Sequence, residues 1–129
     1  MGTRSLTFFH NQEKKPIVCM YGQFDGYLRG HGIELAEFIN SKTLVNGISF
    51  EDPSATNCNG MECLAAMAVG HFKRDVPGSY YLYPTDTIDA WHEYEYHVYS
   101  DKVVVKKYDK VAFVGNWAEF LEECKETED

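Results

Sequence analysis

Residues 93–108 read EYEYHVYSDKVVVKKY. The first half alternates strictly. Tyr94, Tyr96 and Val98 fall on one side of an extended strand, and Glu93, Glu95, His97 and Tyr99 fall on the other. A helical period would scatter these side chains around a cylinder, so the segment reads as a strand with one apolar face. "DK" then supplies a two-residue turn and "VVVKKY" returns, which makes a hairpin, with "VAFV" offering a further strand. A sheet with one apolar face needs a second layer to cover it.

The rest of the chain supplies that layer. "TRSLTFF" (3–9) and "PIVCMY" (16–21) are β-prone runs separated by the polar "HNQEKK", which predicts a second hairpin. Over 33–39 the apolar Ile33, Leu35, Ala36, Phe38 and Ile39 fit a helical stripe, with Glu34 and Glu37 on the turns where the helix dipole favours acids. "TLVNGISF" holds an Asn-Gly turn and reads as a small hairpin or a compact loop, and "EDPSATNCNG" reads as a loop. "MECLAAMAVGHF" is apolar nearly all round, the pattern of a buried central helix from near Asn59 to near Lys73. "YYLYP" is a short strand closed by Pro84, and "TDTIDAW" is a loop or a single helical turn. "NWAEFLEECK" is an amphipathic helix with Trp117, Phe120, Leu121 and Cys124 on one stripe, followed by an acidic tail over about 125–129. The expectation is one α+β domain over residues 1–129, an antiparallel sheet built from hairpins with two to three helices packed on one face.

Twenty acidic residues against twelve basic ones give a net charge of −8. Affinity for a phosphate backbone comes from Lys and Arg, so direct nucleic-acid binding is not expected. No window approaches the ~18 consecutive apolar residues of a membrane span. Cys19, Cys58, Cys63 and Cys124 form no C-x-x-C pair and no metal-type spacing with histidine. "MGTRSLTFF" lacks the apolar run of a secretion signal, so reduced cysteines in a bacterial cytoplasm are expected.

The first candidate site is "MYGQFDGYLRGHG", residues 20–32. Its glycines permit close backbone approach. Tyr21, Phe24 and Tyr27 can stack on a planar ligand or fill a partner's pocket, while Gln23, Asp25 and Arg29 can hydrogen-bond it. His31 lies where the next helix starts, and a helix N-terminus offers free N–H groups to an anion. The bland alternative is a structured loop whose aromatics plug into the core. Asn57 or Asn59 can cap the central helix, and its start could face the first loop, with Arg4 adding positive charge. Cys63 could be a nucleophile with His31 or His71 as base, although its apolar run suits a small core residue better. Glu93, Glu95 and His97, with His92 adjacent, could hold a divalent metal, but a solvated sheet face is the ordinary explanation. Neither a catalytic constellation, a cofactor nor a metal is assigned. Half of Tyr80, Tyr81, Tyr83, Tyr94, Tyr96 and Tyr99 should enter the core, and the outward half would form a sticky surface for a protein or homo-oligomer contact.

"MGTRSLT", "KPIVCMYGQFDGYLRGHGIELAEF" and "NCNGMECLAAMAV" together resemble a family of small uncharacterised proteins encoded by bacteriophages and by bacteria carrying prophages. The resemblance runs over nearly the whole chain and is most specific at the N-terminal motif. Gly22 stands where the family has Arg in a Y-R-Q triplet, Leu28 where Pro is favoured, and Arg29 where a small hydroxyl residue is common. An arginine-dependent contact is therefore either lost here or moved to Arg29. The resemblance implies a phage-associated protein and brings no activity with it.

Three functions follow, in order of preference. The first is a non-enzymatic phage accessory protein that binds and inhibits a host protein of bacterial defence. The second is a sponge for a nucleotide-like small-molecule signal, held by Arg4, Arg29, the QFDGY loop and the two helix starts. The third is an enzyme using Cys63 or the carboxylate face.

Overall fold

The structure is a computed structural model that describes residues 2–45 and 57–127. The expected Asn46–Gly47 turn, most of the loop before Asn57 and the last two tail residues lie outside the described residues.

Six strands form one sheet in the order β5-β2-β1-β6-β7-β8. They are β1 (Ser5–His10), β2 (Pro16–Gly22), β5 (Tyr80–Tyr83), β6 (Tyr94–Val98), β7 (Val103–Lys107) and β8 (Lys110–Gly115). β3 (Thr43–Val45) and β4 (Asn57–Asn59) pair in parallel as a separate two-stranded sheet, where the sequence had suggested a hairpin or loop. The helices are α1 (Ile33–Asn40), α2 (Gly60–Lys73) and α3 (Trp117–Glu126). The architecture is α+β, as the patterning requires.

Two sheet features depart from the sequence reading. The β6–β7 turn centres on Ser100 and Asp101 rather than on Asp101 and Lys102, because Tyr99 N–H donates to the Lys102 carbonyl at 3.0 Å. The second departure is larger. β1 and β6 pair in parallel while every other pairing in the six-stranded sheet is antiparallel. The N-terminal hairpin and the β6–β7–β8 meander meet through these two central strands. All six residues of β1 are consequently buried.

One face of the sheet carries Phe9, Met20, Tyr94, Tyr96, Val98, Val103 and Val105 into the main core, with Leu35, Leu64, Phe72, Trp117 and Phe120 from the helices. α2 buries Met61, Leu64, Ala65, Ala68 and Phe72 but exposes Glu62, Ala66 and Gly70. It is one-sided rather than buried all round. α3 starts with a capping box, in which Asn116 accepts from Glu119 N–H at 2.8 Å and Glu119 accepts from Asn116 N–H at 3.0 Å.

The opposite face is not bare. β5 and β6 are separated by β2 and β1, so residues 84–93 must cross about three strand spacings, ~14 Å. They do so over this outer face, where Ala90 packs on Leu6, Phe8, Cys19 and Tyr21.

Candidate functional site

The glycine-rich stretch is built into the fold. Leu28–Gly32 forms a wide, π-helical turn that leads directly into α1. Gly26 N–H donates to the Thr3 carbonyl at 2.8 Å, and the Gly26 carbonyl accepts from the Tyr96 hydroxyl at 2.7 Å. A Cβ on Gly30 would lie 2.4 Å from the Asp25 carbonyl oxygen, and one on Gly26 would lie 2.8 Å from the Ser5 Cβ. These glycines let the loop lie against β1 and its own backbone.

His31 is fully enclosed. Its Nε2 lies 2.8 Å from Thr7 Oγ1 and its Nδ1 lies 3.0 Å from the Tyr80 hydroxyl. Burial lowers the imidazole to about 3, so it is neutral in the fold. Burial also pushes the Tyr80 phenol up.

The other expected residues divide among several places. Phe24, Asp25 and His31 line a cleft of about 400 Å³ with Gly30, Glu34, Ser79 and Tyr80. The Tyr27 hydroxyl points back to Asp25 at 3.4 Å, and Arg29 is exposed. Tyr21 belongs to the outer face, where its ring stacks on Tyr83 at 4.9 Å and its hydroxyl donates to Gln23 at 2.8 Å, with Arg4 electrostatically close. Asn59 precedes α2 without a side-chain cap. The two helix starts do not converge, because α2 presents its other end to α1. Arg74, just past that end, bonds Glu34 at 2.6 Å. Fourteen helical residues, ~21 Å, separate that end from Asn59.

Neither proposed base sits with Cys63. His31 is held by Thr7 and Tyr80, while His71 lies 3.2 Å from Glu34 and packs on Phe38. Cys58, the thiol nearest to Cys63 in the chain, is pushed up by burial and then by Cys63. All four cysteines are free thiols.

The Glu93–His97 face differs most from the sequence reading. Glu95 and His97 are each only 17% exposed and His92 10%, so this is no solvated sheet face. Glu95 accepts from His97 Nε2 at 2.6 Å and from His92 Nε2 at 3.0 Å. His97 Nδ1 lies 2.9 Å from His10 Nε2. His97 stacks on Phe8 and His10 stacks on Tyr99. The hydrogen bonds from His92, then from His97, hold the Glu95 carboxyl well below the usual carboxylate range. The four side chains form a line of hydrogen bonds. Among the described residues, no three His, Cys, Asp or Glu side chains are grouped to hold a metal ion.

This line opens onto a cleft of about 330 Å³ lined by Ile88, Asp89, His92, Glu93, Glu95, Lys106, Tyr108 and Asp109. Its borders carry exposed apolar groups. Ile88 is 87% exposed, Trp91 83% and Tyr108 68%, and Val111 and Val114 on β8 are also exposed. Trp91 sits at φ 58°, in the left-handed region that a bulky side chain rarely occupies. Trp91 N–H donates to Asp89 Oδ1 at 2.9 Å, and Ala90 N–H donates to His92 Nδ1 at 3.3 Å. Tyr108 and Asp109 both have positive φ, as a two-residue type I′ turn demands. Ile88, Asp89, Trp91 and Tyr108 were not singled out in the sequence. For Ile88, Asp89 and Trp91 the one signal was a single Ile and a single Trp in PTDTIDAWHE, a segment with no other large apolar residue.

Tyr94 and Tyr96 lie in the core with Tyr80 packed against it, and Tyr81 and Tyr83 are exposed, the division the tyrosine density suggested. No helix of the described residues is long and apolar enough to cross a membrane. Comparisons with protein-family models, with curated proteins and with solved structures found no match.

Proposed function

We propose that this chain is a non-enzymatic phage accessory protein that binds and inhibits a host bacterial protein, a component of bacterial defence, through the outer-face cleft and its apolar border. The observation that carries this reading is Trp91, 83% exposed and held at a positive φ. A left-handed backbone at such a residue costs on the order of 1–3 kcal/mol. Exposing its ring forgoes burial as well. Both costs are offset if the ring is a preorganised anchor for a partner's pocket, since Trp and Tyr dominate binding hot spots and preordering reduces the entropy lost on association. Ile88 and Tyr108 enlarge the apolar border. The carboxylates of Asp89, Glu93, Glu95 and Asp109 outnumber the one lysine, Lys106, that lines the cleft. A basic partner surface with an apolar recess fits this pattern, and the chain's charge of −8 would steer it there.

The reading of a sponge for a nucleotide-like signal draws on the 400 Å³ cleft beside Phe24. The carboxylates of Asp25 and Glu34 line that cleft and repel an anion, and Arg29 is not among its lining residues.

The test is affinity purification from bacteria of the wild type and Trp91→Ala side by side. A host protein that co-purifies stoichiometrically with the wild type should be lost from the variant, whose melting temperature stays within about 2 °C because the ring is exposed. Equal recovery with both proteins would remove Trp91 from the interface.

A further inference from the structure

Three sulfurs gather on the helix-bearing side of the sheet, away from the outer-face cleft. Cys58, Cys63 and Met67 all belong to the main core. Cys63 and Met67 sit four residues apart on α2, so they leave the same side of the helix with Cβ atoms about 5–6 Å apart. Both are half-buried. Cys58 reaches them from β4. Gly60, at φ 77° or more in the left-handed region (79°), turns the chain between β4 and α2. The Cys58 thiol then donates to Met67 Sδ at 3.4 Å. It is also a hydrogen-bond partner of the Cys63 thiol. Cys58 is fully buried, so solvent approaches the group only past Cys63 and Met67.

The arrangement offers two thiols and one thioether to a common point. These are soft donors, and thiolate together with thioether selects copper(I). Zinc also takes thiolates, but its sites are completed to four ligands by Cys, His, Asp or Glu, and iron–sulfur clusters take four thiolates. Among the described residues no three His, Cys, Asp or Glu side chains are grouped to hold a metal ion, so neither of those has its ligand set. The methionine lies outside that set, and copper(I) accepts both a thioether and a low coordination number. Two thiolates around one monovalent cation leave a negative charge in excess. The Lys42 ammonium is electrostatically close to the Cys58 thiol and can balance it.

We propose that Cys58, Cys63 and Met67 form a three-sulfur site for copper(I). Loading breaks both S–H bonds. The protons pass to water and each sulfur keeps its electron pair for the metal, so no electron is transferred and no oxidant is needed. The bound ion ties β4, and with it the parallel β3–β4 sheet, to α2. The site depends neither on Trp91 nor on any partner.

The test uses the free full-length protein, reduced and held under anaerobic conditions, with ascorbate keeping copper monovalent. The probe is the coloured copper(I) complex of bicinchoninate. The expected result is bleaching of that complex as about one copper per chain moves to the protein, with sulfur as the only neighbour in the copper X-ray absorption spectrum. Met67→Leu keeps the shape of a half-buried side chain and should weaken binding about tenfold or more. Cys63→Ser should weaken it about a hundredfold or more. Both variants should keep the far-UV circular dichroism of the wild type, and equimolar zinc(II) should leave the copper in place. Copper that stays on bicinchoninate would overturn the proposal, as would wild-type affinity in Met67→Leu or displacement by zinc. Nitrogen neighbours in the absorption spectrum would also overturn it, since they would put the metal on the histidine line. The wild-type spectrum decides between sulfur and nitrogen even if a variant folds poorly.

Discussion

Replacing Glu95 by Gln tests whether the outer face is a built structure or an incidental meeting of side chains. Glu95 accepts from His97 at 2.6 Å and from His92 at 3.0 Å while only 17% exposed. Hydrogen bonds to a charged group contribute about 1.5–3 kcal/mol each. Glutamine keeps one acceptor oxygen and turns its amide N–H₂ toward the other imidazole N–H. One bond is lost outright unless that ring changes tautomer, which for His92 would also break the bond from Ala90. The expected loss is about 2–3 kcal/mol at pH 7. For a chain of 129 residues that lowers the melting temperature by roughly 6–12 °C. The pH dependence has a defined sign. The folded carboxyl is depressed, so its contribution is complete above the unfolded value of about 4.3 and is lost only as pH falls further. The gap between wild type and Glu95→Gln should therefore persist from pH 7 to pH 5 and narrow below about pH 4. Urea unfolding followed by far-UV circular dichroism measures it. A difference under about 0.5 kcal/mol at pH 7 would mean that the line of histidines contributes nothing to the fold.

Other expectations follow from single contacts. Gly30→Ala should destabilise by about 1–3 kcal/mol, because its Cβ would sit 2.4 Å from a backbone oxygen that cannot move aside, while Arg29→Ala next to it should change the urea midpoint little. His31 gives an acid-sensitive slope. Its folded value of about 3 lies below the ordinary 6.5, so the unfolded chain takes the proton first, and stability falls as pH drops from about 6.5 toward 3, by up to about 1.4 kcal/mol per unit. His31→Gln should flatten that slope in pH-dependent denaturant unfolding. Asn116→Ala removes one half of the capping box and should cost about 1 kcal/mol, read as a lowered melting temperature.

The elements were legible where one period dominated. Tyr94, Tyr96 and Val98 alternate, and the stripe of Trp117, Phe120 and Cys124 repeats at helical spacing, so both segments declared their form and their buried side. The two departures have a common cause, because both depend on partners distant in sequence. Nothing local in SLTFFH says that its second neighbour is the parallel strand β6. Nothing local in Glu95 and His97 says that residues 84–93 will cross above them. Period-2 alternation reports which residues share a face, but whether that face meets water depends on what crosses it. Sequence reasoning therefore placed Glu95 and His97 on one face correctly and assigned that face to solvent. The MYGQFDGYLRGHG stretch was open to two readings in the sequence, a ligand or partner site and a structured loop. Its glycines and histidine looked like a ligand cradle, while Gly26, Gly30 and His31 are set by contacts to Thr3, Ser5, Asp25, Thr7 and Tyr80. Trp91 was passed over because exposure is a tertiary property.

The most direct test of the proposed partner-binding face is photo-crosslinking in bacteria, with a photoreactive phenylalanine analogue placed at Trp91 in one variant and at Phe24 in another. The outer-face account predicts a discrete protein adduct from position 91 and none from position 24. A discrete protein adduct from position 24 alone, or a small-molecule adduct there with none at 91, would contradict it and return the function to the glycine-rich loop.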